Sequence, residues 1–132
     1  MSDLKEIIID GSKFSDVAGF YDEIERQLTH ELDWRIGRNL NALNDVLRGG
    51  FGVHQYGEPI ALTWLHSNKS KADLGTEATI AQWENALYRA ESHQRDWLLQ
   101  ELDQLRKGAG KTLYASIREV IQSHSQIEFV EG

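Results

Sequence analysis

Cysteine is absent from the 132 residues, which removes disulfides and thiolate metal sites and suits a reducing compartment. Proline occurs once, at Pro59. No apolar run approaches the roughly 20 residues that a membrane-spanning helix needs. The start, Met1-Ser2-Asp3-Leu4-Lys5-Glu6, lacks a basic segment leading into an apolar one, so no signal peptide and a cytoplasmic location are expected. Positive charge is also scarce: 14 Lys and Arg stand against 21 Asp and Glu, for a net charge of −7. Without a basic stripe to displace counterions, direct nucleic-acid binding is not expected. An acidic chain is instead steered towards a basic protein partner.

Catalytic signatures are missing too. His30, His54, His66, His93 and His124 are scattered, with no spacing that would hold a metal. There is no nucleophile elbow, phosphate-binding loop or dinucleotide fingerprint. Gly49-Gly50-Phe51-Gly52 has no Lys-Ser/Thr pair and reads as a helix stop with a loop. The acidic pairs Asp22-Glu23 and Glu101/Asp103 read as solvated helix faces or as partners for lysine and arginine. Neither a cofactor nor an enzymatic activity is expected.

What is present is an ordinary globular composition, 40% apolar and 27% charged, consistent with one domain over residues 1–132. Glu6 to Asp10 is a β-branched run closed by Asp10-Gly11, read as a buried strand and a turn. Ser15 offers an N-cap for a helix to about residue 30, with Val17, Phe20 or Tyr21, Ile24 and Leu28 as its stripe. Phe51 to Glu58 reads as irregular. Pro59 opens a second strand, Ile60 to Leu65, where the missing amide costs least. His66 to Gly75 is polar and reads as a loop. Thr76 with Thr79 caps a helix striped by Ile80, Trp83, Leu87 and Ala90. Ser92 breaks it before a second stripe of Trp97 or Leu98, Glu101 or Leu102, and Leu105, which Gly108-Ala109-Gly110 ends. Leu113, Ile117, Val120 and Ile121 mark a further helix, and Ile127 to Val130 a third strand. Trp64, Trp83 and Trp97 are expected in the core. Long crossovers between strands imply parallel pairing. The fold class is therefore α/β, a small three-stranded parallel sheet packed with helices.

The most informative stretch runs from Trp34 to Gly50. Leu40, Leu43 and Leu47 recur at helical spacing as a buried face, with Asn39 as N-cap and Gly49 or Gly50 as the stop. Asn41, Asn44 and Asp45 then fall towards the other face, where they can reach a partner. Taken alone, this is also the pattern of an ordinary short surface helix.

The Gly-x-Asn-Leu-x-Ala-Leu-x-Asp core, Gly37 to Asp45, resembles the loop and second helix of barstar-type ribonuclease inhibitors. Ile7-Ile8-Ile9-Asp10-Gly11 with its following helix resembles the first strand and helix of that family. Leu113 to Val130, with the Arg118-Glu119 pair, resembles its last helix and strand. The three pieces stand in the family's order. The resemblance implies a barstar-like fold in which residues from about 68 to 111 form an expanded helical segment inserted before the last helix. Its extra helices could add core, form a dimer surface or widen the partner interface; added core is the expectation.

The resemblance further implies a protein that plugs a ribonuclease active site with its second helix and the preceding loop. Asp45 aligns with the family's key inhibitory aspartate, whose carboxylate takes the place of the RNA phosphate. Glu119 aligns with an acidic residue that assists at the rim. The competing reading for each is an exposed acid paired with a local arginine, Arg48 or Arg118. The contact positions are therefore Arg35, Ile36, Gly37, Arg38, Asn41, Asn44, Asp45, Arg48 and Glu119.

Several of them depart from the family pattern. Asn41 replaces an aspartate, Asn44 an aromatic residue, Arg35-Ile36 a tyrosine pair, and Arg38 an acid. With Arg35, Arg38 and Arg48 against Asp45 alone, the stretch is locally positive, which suits a target with an acidic rim around its basic pocket. The expected function is that of an immunity-type or antitoxin protein that inhibits a ribonuclease. The alternative is a protein-interaction module on the same scaffold with a non-nuclease partner.

Overall fold

Three short apolar stretches become strands: Lys5–Asp10 (β1), Ile60–Leu65 (β2) and Ile127–Glu131 (β3). The computed structural model describes residues 4–30, 37, 39–50 and 52–132. All strand pairs are parallel, in the order β1-β2-β3. The register aligns Ile7 with Leu62 and Phe129, and Ile9 with Trp64 and Glu131. Side chains alternate across a strand, so Ile7, Ile9, Ile60, Leu62, Trp64 and Ile127 enter the core. Ile8 and Val130 point the other way, and Ile8 is 43% exposed. The first strand is thus buried on one face only, contrary to its continuous apolar run.

Helices Val17–Leu28 (α1), Leu40–Arg48 (α2) and Leu113–Gln122 (α6) contribute apolar stripes to that core. The cap of α1 is Asp16, not the expected Ser15: its carboxylate accepts from the Gly19 amide at 2.8 Å. Glu23 does not lie on a solvated face. It is fully buried, accepting from the Asp10 amide at 2.9 Å and from Arg26 at 2.6 Å. A buried carboxylate needs such partners, and these fasten α1 to the end of β1.

The polar stretch expected as a loop is a helix, Ser67–Asp73 (α3), entered through His66 at φ 55. Its polar residues are used individually. Ser70 Oγ accepts from the Trp64 indole at 2.9 Å, and Lys69 donates to the Phe14 carbonyl at 2.6 Å and to Asp73 at 2.5 Å. Gly11 faces this helix so closely that a Cβ there would stand 2.5 Å from Ser70 Oγ.

Thr76–Arg89 (α4) and Ser92–Arg106 (α5) form the expanded helical segment together with α3. They pack on one another instead of filling the central core. Leu98, Leu102 and Leu105 are buried yet stand outside the cluster beneath the sheet. Trp83 and Trp97, expected in the core, meet edge-on at 5.4 Å with Trp97 51% exposed. Thr79 joins the hairpin to α6: its hydroxyl donates to the Gly75 carbonyl at 2.7 Å and accepts from the Leu113 amide at 2.8 Å. No described helix is long and apolar enough to cross a membrane.

Trp64 is fully buried at the centre of the core, stacked on Phe20 at 5.3 Å and 5.0 Å from Tyr114. Trp64→Ala should destabilise the fold by about 3–5 kcal/mol. Equilibrium denaturant unfolding would measure it, and Trp64→Phe, which keeps an aromatic ring there but leaves a smaller void and loses the bond to Ser70, should cost less.

Candidate functional site

The site is built on α2, and its ends are fixed by its own sequence. Asn39 Oδ1 accepts from the Ala42 amide at 2.8 Å, so the N-cap is the expected one. At the other end Gly49 has φ 89 and donates to the Asp45 and Val46 carbonyls at 3.3 and 3.1 Å. A Cβ on Gly49 would lie 2.3 Å from the Gln55 carbonyl oxygen, so the stop requires glycine on both counts.

Leu43, Val46 and Leu47 face the core, whereas Leu40 is 37% exposed. The buried stripe is therefore 43/46/47, and Leu40 leaves the face assigned to it. It lines a groove of about 240 Å³ between α2 and α6, shared with Lys111, Ser116, Glu119, Val120 and Ser123. Asn41, Asp45 and Arg48, one helical turn apart in succession, form an exposed stripe beside it. Asp45 pairs with Arg48 at 3.6 Å and its side chain remains 61% exposed. Glu119 pairs with Lys111 at 2.5 Å and is likewise exposed. Ion pairs this accessible are worth about 0–1 kcal/mol, so either carboxylate can exchange its partner for a better one.

Asn44 does not stand free. Its carboxamide oxygen accepts from His124 Nε2 at 2.7 Å, across 80 residues of sequence. It is a joint between α2 and the segment after α6. His54 adds a second brace, donating from Nε2 to the Leu47 carbonyl at 3.0 Å while fully buried. Arg118 is not available to Glu119 either, because its guanidinium donates to Glu131 at 2.8 Å. The Tyr114 hydroxyl donates to the same carboxylate. Burial opposes the charge on Glu131, but the bonds from Tyr114 and Arg118 outweigh it and hold the group below the usual carboxylate range. Arg118 and Tyr114 thus clamp α6 to β3, and Glu119 is left to the groove.

Of the expected contact positions, Asn41, Asp45, Arg48 and Glu119 lie exposed on this α2–α6 face, and Gly37 is exposed ahead of the Asn39 cap. Arg35, Ile36 and Arg38 lie outside the described residues. Leu40, Lys111, His54 and His124 were missed as parts of the site. Only Leu40 had a local signal, its place in the first helical turn. Among the described residues no cluster of His, Cys, Asp or Glu could hold a metal.

Residues 4–109 match the family model described as Barstar (barnase inhibitor), and the match stops ahead of α6 and β3. No curated protein matches the chain.

Asn39→Ala should cost about 1 kcal/mol and speed amide hydrogen exchange in the first turn of α2 before that of α1. A pH effect follows from His124. Burial first, then the electrostatic influence of Arg48 and of the neighbouring His54, push His124 below the ordinary imidazole range. The folded chain therefore favours neutral His124. Its contribution is complete above pH about 6.5 and is lost as pH falls through the lower folded value. Unfolding free energies at pH 7.5 and 5.5 should fall more in the wild type than in His124→Gln, which keeps an amide donor but cannot be protonated.

Proposed function

The chain belongs to the barstar family, and we propose that it binds a ribonuclease and closes its active site with α2 and the residues before it. The observation that carries this reading is the position of Asp45. It sits near the middle of a helix capped at both ends, on the exposed stripe, and among the described residues its carboxylate has only an accessible ion pair with Arg48. A nuclease grips the RNA phosphate with basic side chains, and a carboxylate presented rigidly can take the same charge-assisted bonds. Little order remains to be imposed on α2 at binding, which favours affinity.

Glu119 supplies a second acid across the Leu40 groove, and Lys111 and Arg48 are released towards acidic groups of the target rim as the two carboxylates change partners. Gly37 with Arg35, Ile36 and Arg38 would complete the contact ahead of the helix. Asn41 offers a hydrogen bond where a charge would repel such a rim. Asn44 contributes indirectly by holding the helix to His124. The mechanism needs one domain, no cofactor and no chemical step.

Capture from native lysate with wild type and Asp45→Ala in parallel tests the reading. The expected result is a basic ribonuclease retained by the wild type, with RNA cleavage blocked on addition of the chain and with RNA competing for the bound enzyme. Asp45→Ala should weaken binding by about 2–5 kcal/mol, the usual cost of unpairing a buried interfacial charge. A partner without nuclease activity, or one held equally by the variant, would overturn the phosphate-mimic mechanism and leave an interaction module.

A further inference from the structure

The α4–α5 hairpin carries a hole and a knob on one face. In α4 only Thr79 is fully buried, while Ile80, Trp83, Ala86 and Leu87 are half-buried at best. Two helices alone cannot cover both sides of their seam, and the side carrying Trp97 is unfilled. There a groove of about 540 Å³ runs between the helices, lined by Ala86, Arg89, Ala90, His93, Gln94, Trp97 and Leu98. Its floor is made of small and aliphatic side chains. Trp97 stands at its wall, edge-on to Trp83 and half exposed. Large aromatic groups beside small-residue hollows are the anchors of protein interfaces.

A surface that contains both the projecting group and the hollow it would fill can pair with itself about a two-fold axis. Charge fixes which way. Arg89 sits on the rim at the turn end of the hairpin. Glu101 lies one turn beyond Trp97 on the same side of α5, towards the opposite end. Neither makes an ion pair with another described residue. Arg106 and Lys107 already have Glu84 and Asp103. A parallel arrangement would set Arg89 against Arg89, whereas an antiparallel one sets each Arg89 against the other copy's Glu101.

We propose that this face binds the same face of a second copy of the chain, antiparallel, with each Trp97 seated in the other's Ala86–Ala90 hollow. The two hairpins then complete a four-helix bundle, the common closed arrangement for amphipathic helix pairs. The pairing uses none of the residues assigned to the nuclease-directed face.

Sedimentation equilibrium of the full chain from about 1 μM to about 1 mM tests it. The apparent mass should rise with concentration from 15.1 kDa towards that of two chains. Trp97→Ala and Arg89→Glu should each move the midpoint at least about tenfold higher. Both positions are exposed, so far-UV circular dichroism should be unchanged. Arg89→Glu combined with Glu101→Arg, which exchanges the charges, should recover the wild-type midpoint to within about threefold. A monomer throughout the range, or a dimer indifferent to Trp97 and Arg89, would overturn the proposal. Failure of the charge exchange to rescue would overturn the antiparallel arrangement.

Discussion

The indole of Trp64 gathers the elements of this fold to one point. It comes from the central strand, so its backbone is held by ladders on both sides. Its ring lies against Phe14, Phe20 and Tyr114, which arrive from the turn after β1, from α1 and from α6. Its single polar atom is satisfied by Ser70 of α3. A large aromatic residue can be buried fully only if its N–H finds a partner. The short polar helix that supplies Ser70 is therefore a condition of the core, and Gly11 must be glycine for that helix to approach.

From that centre, order is passed outward to α2. Leu43, Val46 and Leu47 set the helix on the core, and Asn39 and Gly49 define its two ends. His54 and His124 then grip it from two other parts of the chain, through the Leu47 carbonyl and the Asn44 side chain. What remains on the outside is a narrow polar stripe containing one acid. The helix is thus over-determined everywhere except on the face that would meet another molecule. Rigid support behind a few exposed polar groups is what precise recognition requires.

The features legible in the sequence were those whose cause is local. Strand β1 announces itself by a β-branched run, and helix α2 by an asparagine cap and a glycine stop. Parallel pairing followed from the length of the crossovers. The polar helix α3 was not legible, because a helix without an apolar stripe shows no period, and its polar side chains are consumed one by one by distant partners. Glu23 does pair with an arginine, Arg26, but its burial depends on the Asp10 amide, thirteen residues away, and has no local signal. The bond between Asn44 and His124 spans 80 residues and has no local signal either. The tryptophans of the hairpin were assigned to the core by size alone, which says that they must be covered but not by what.

The pairing of Lys5 with Ile60, and of Ile60 with Ile127, also bears on how the chain reaches this structure. No ladder bond forms until one of two long loops has closed, and the entropy of closure grows only slowly with length, so neither is strongly preferred. Such non-local sheets fold more slowly than contacts made along a hairpin. The α4–α5 pair, joined by a connection of only two residues, is local and can form while the sheet is still open. Its aromatic face can then be ordered before the ladders close. If that face pairs as proposed, concentration would act on the folding pathway as well as on the folded product.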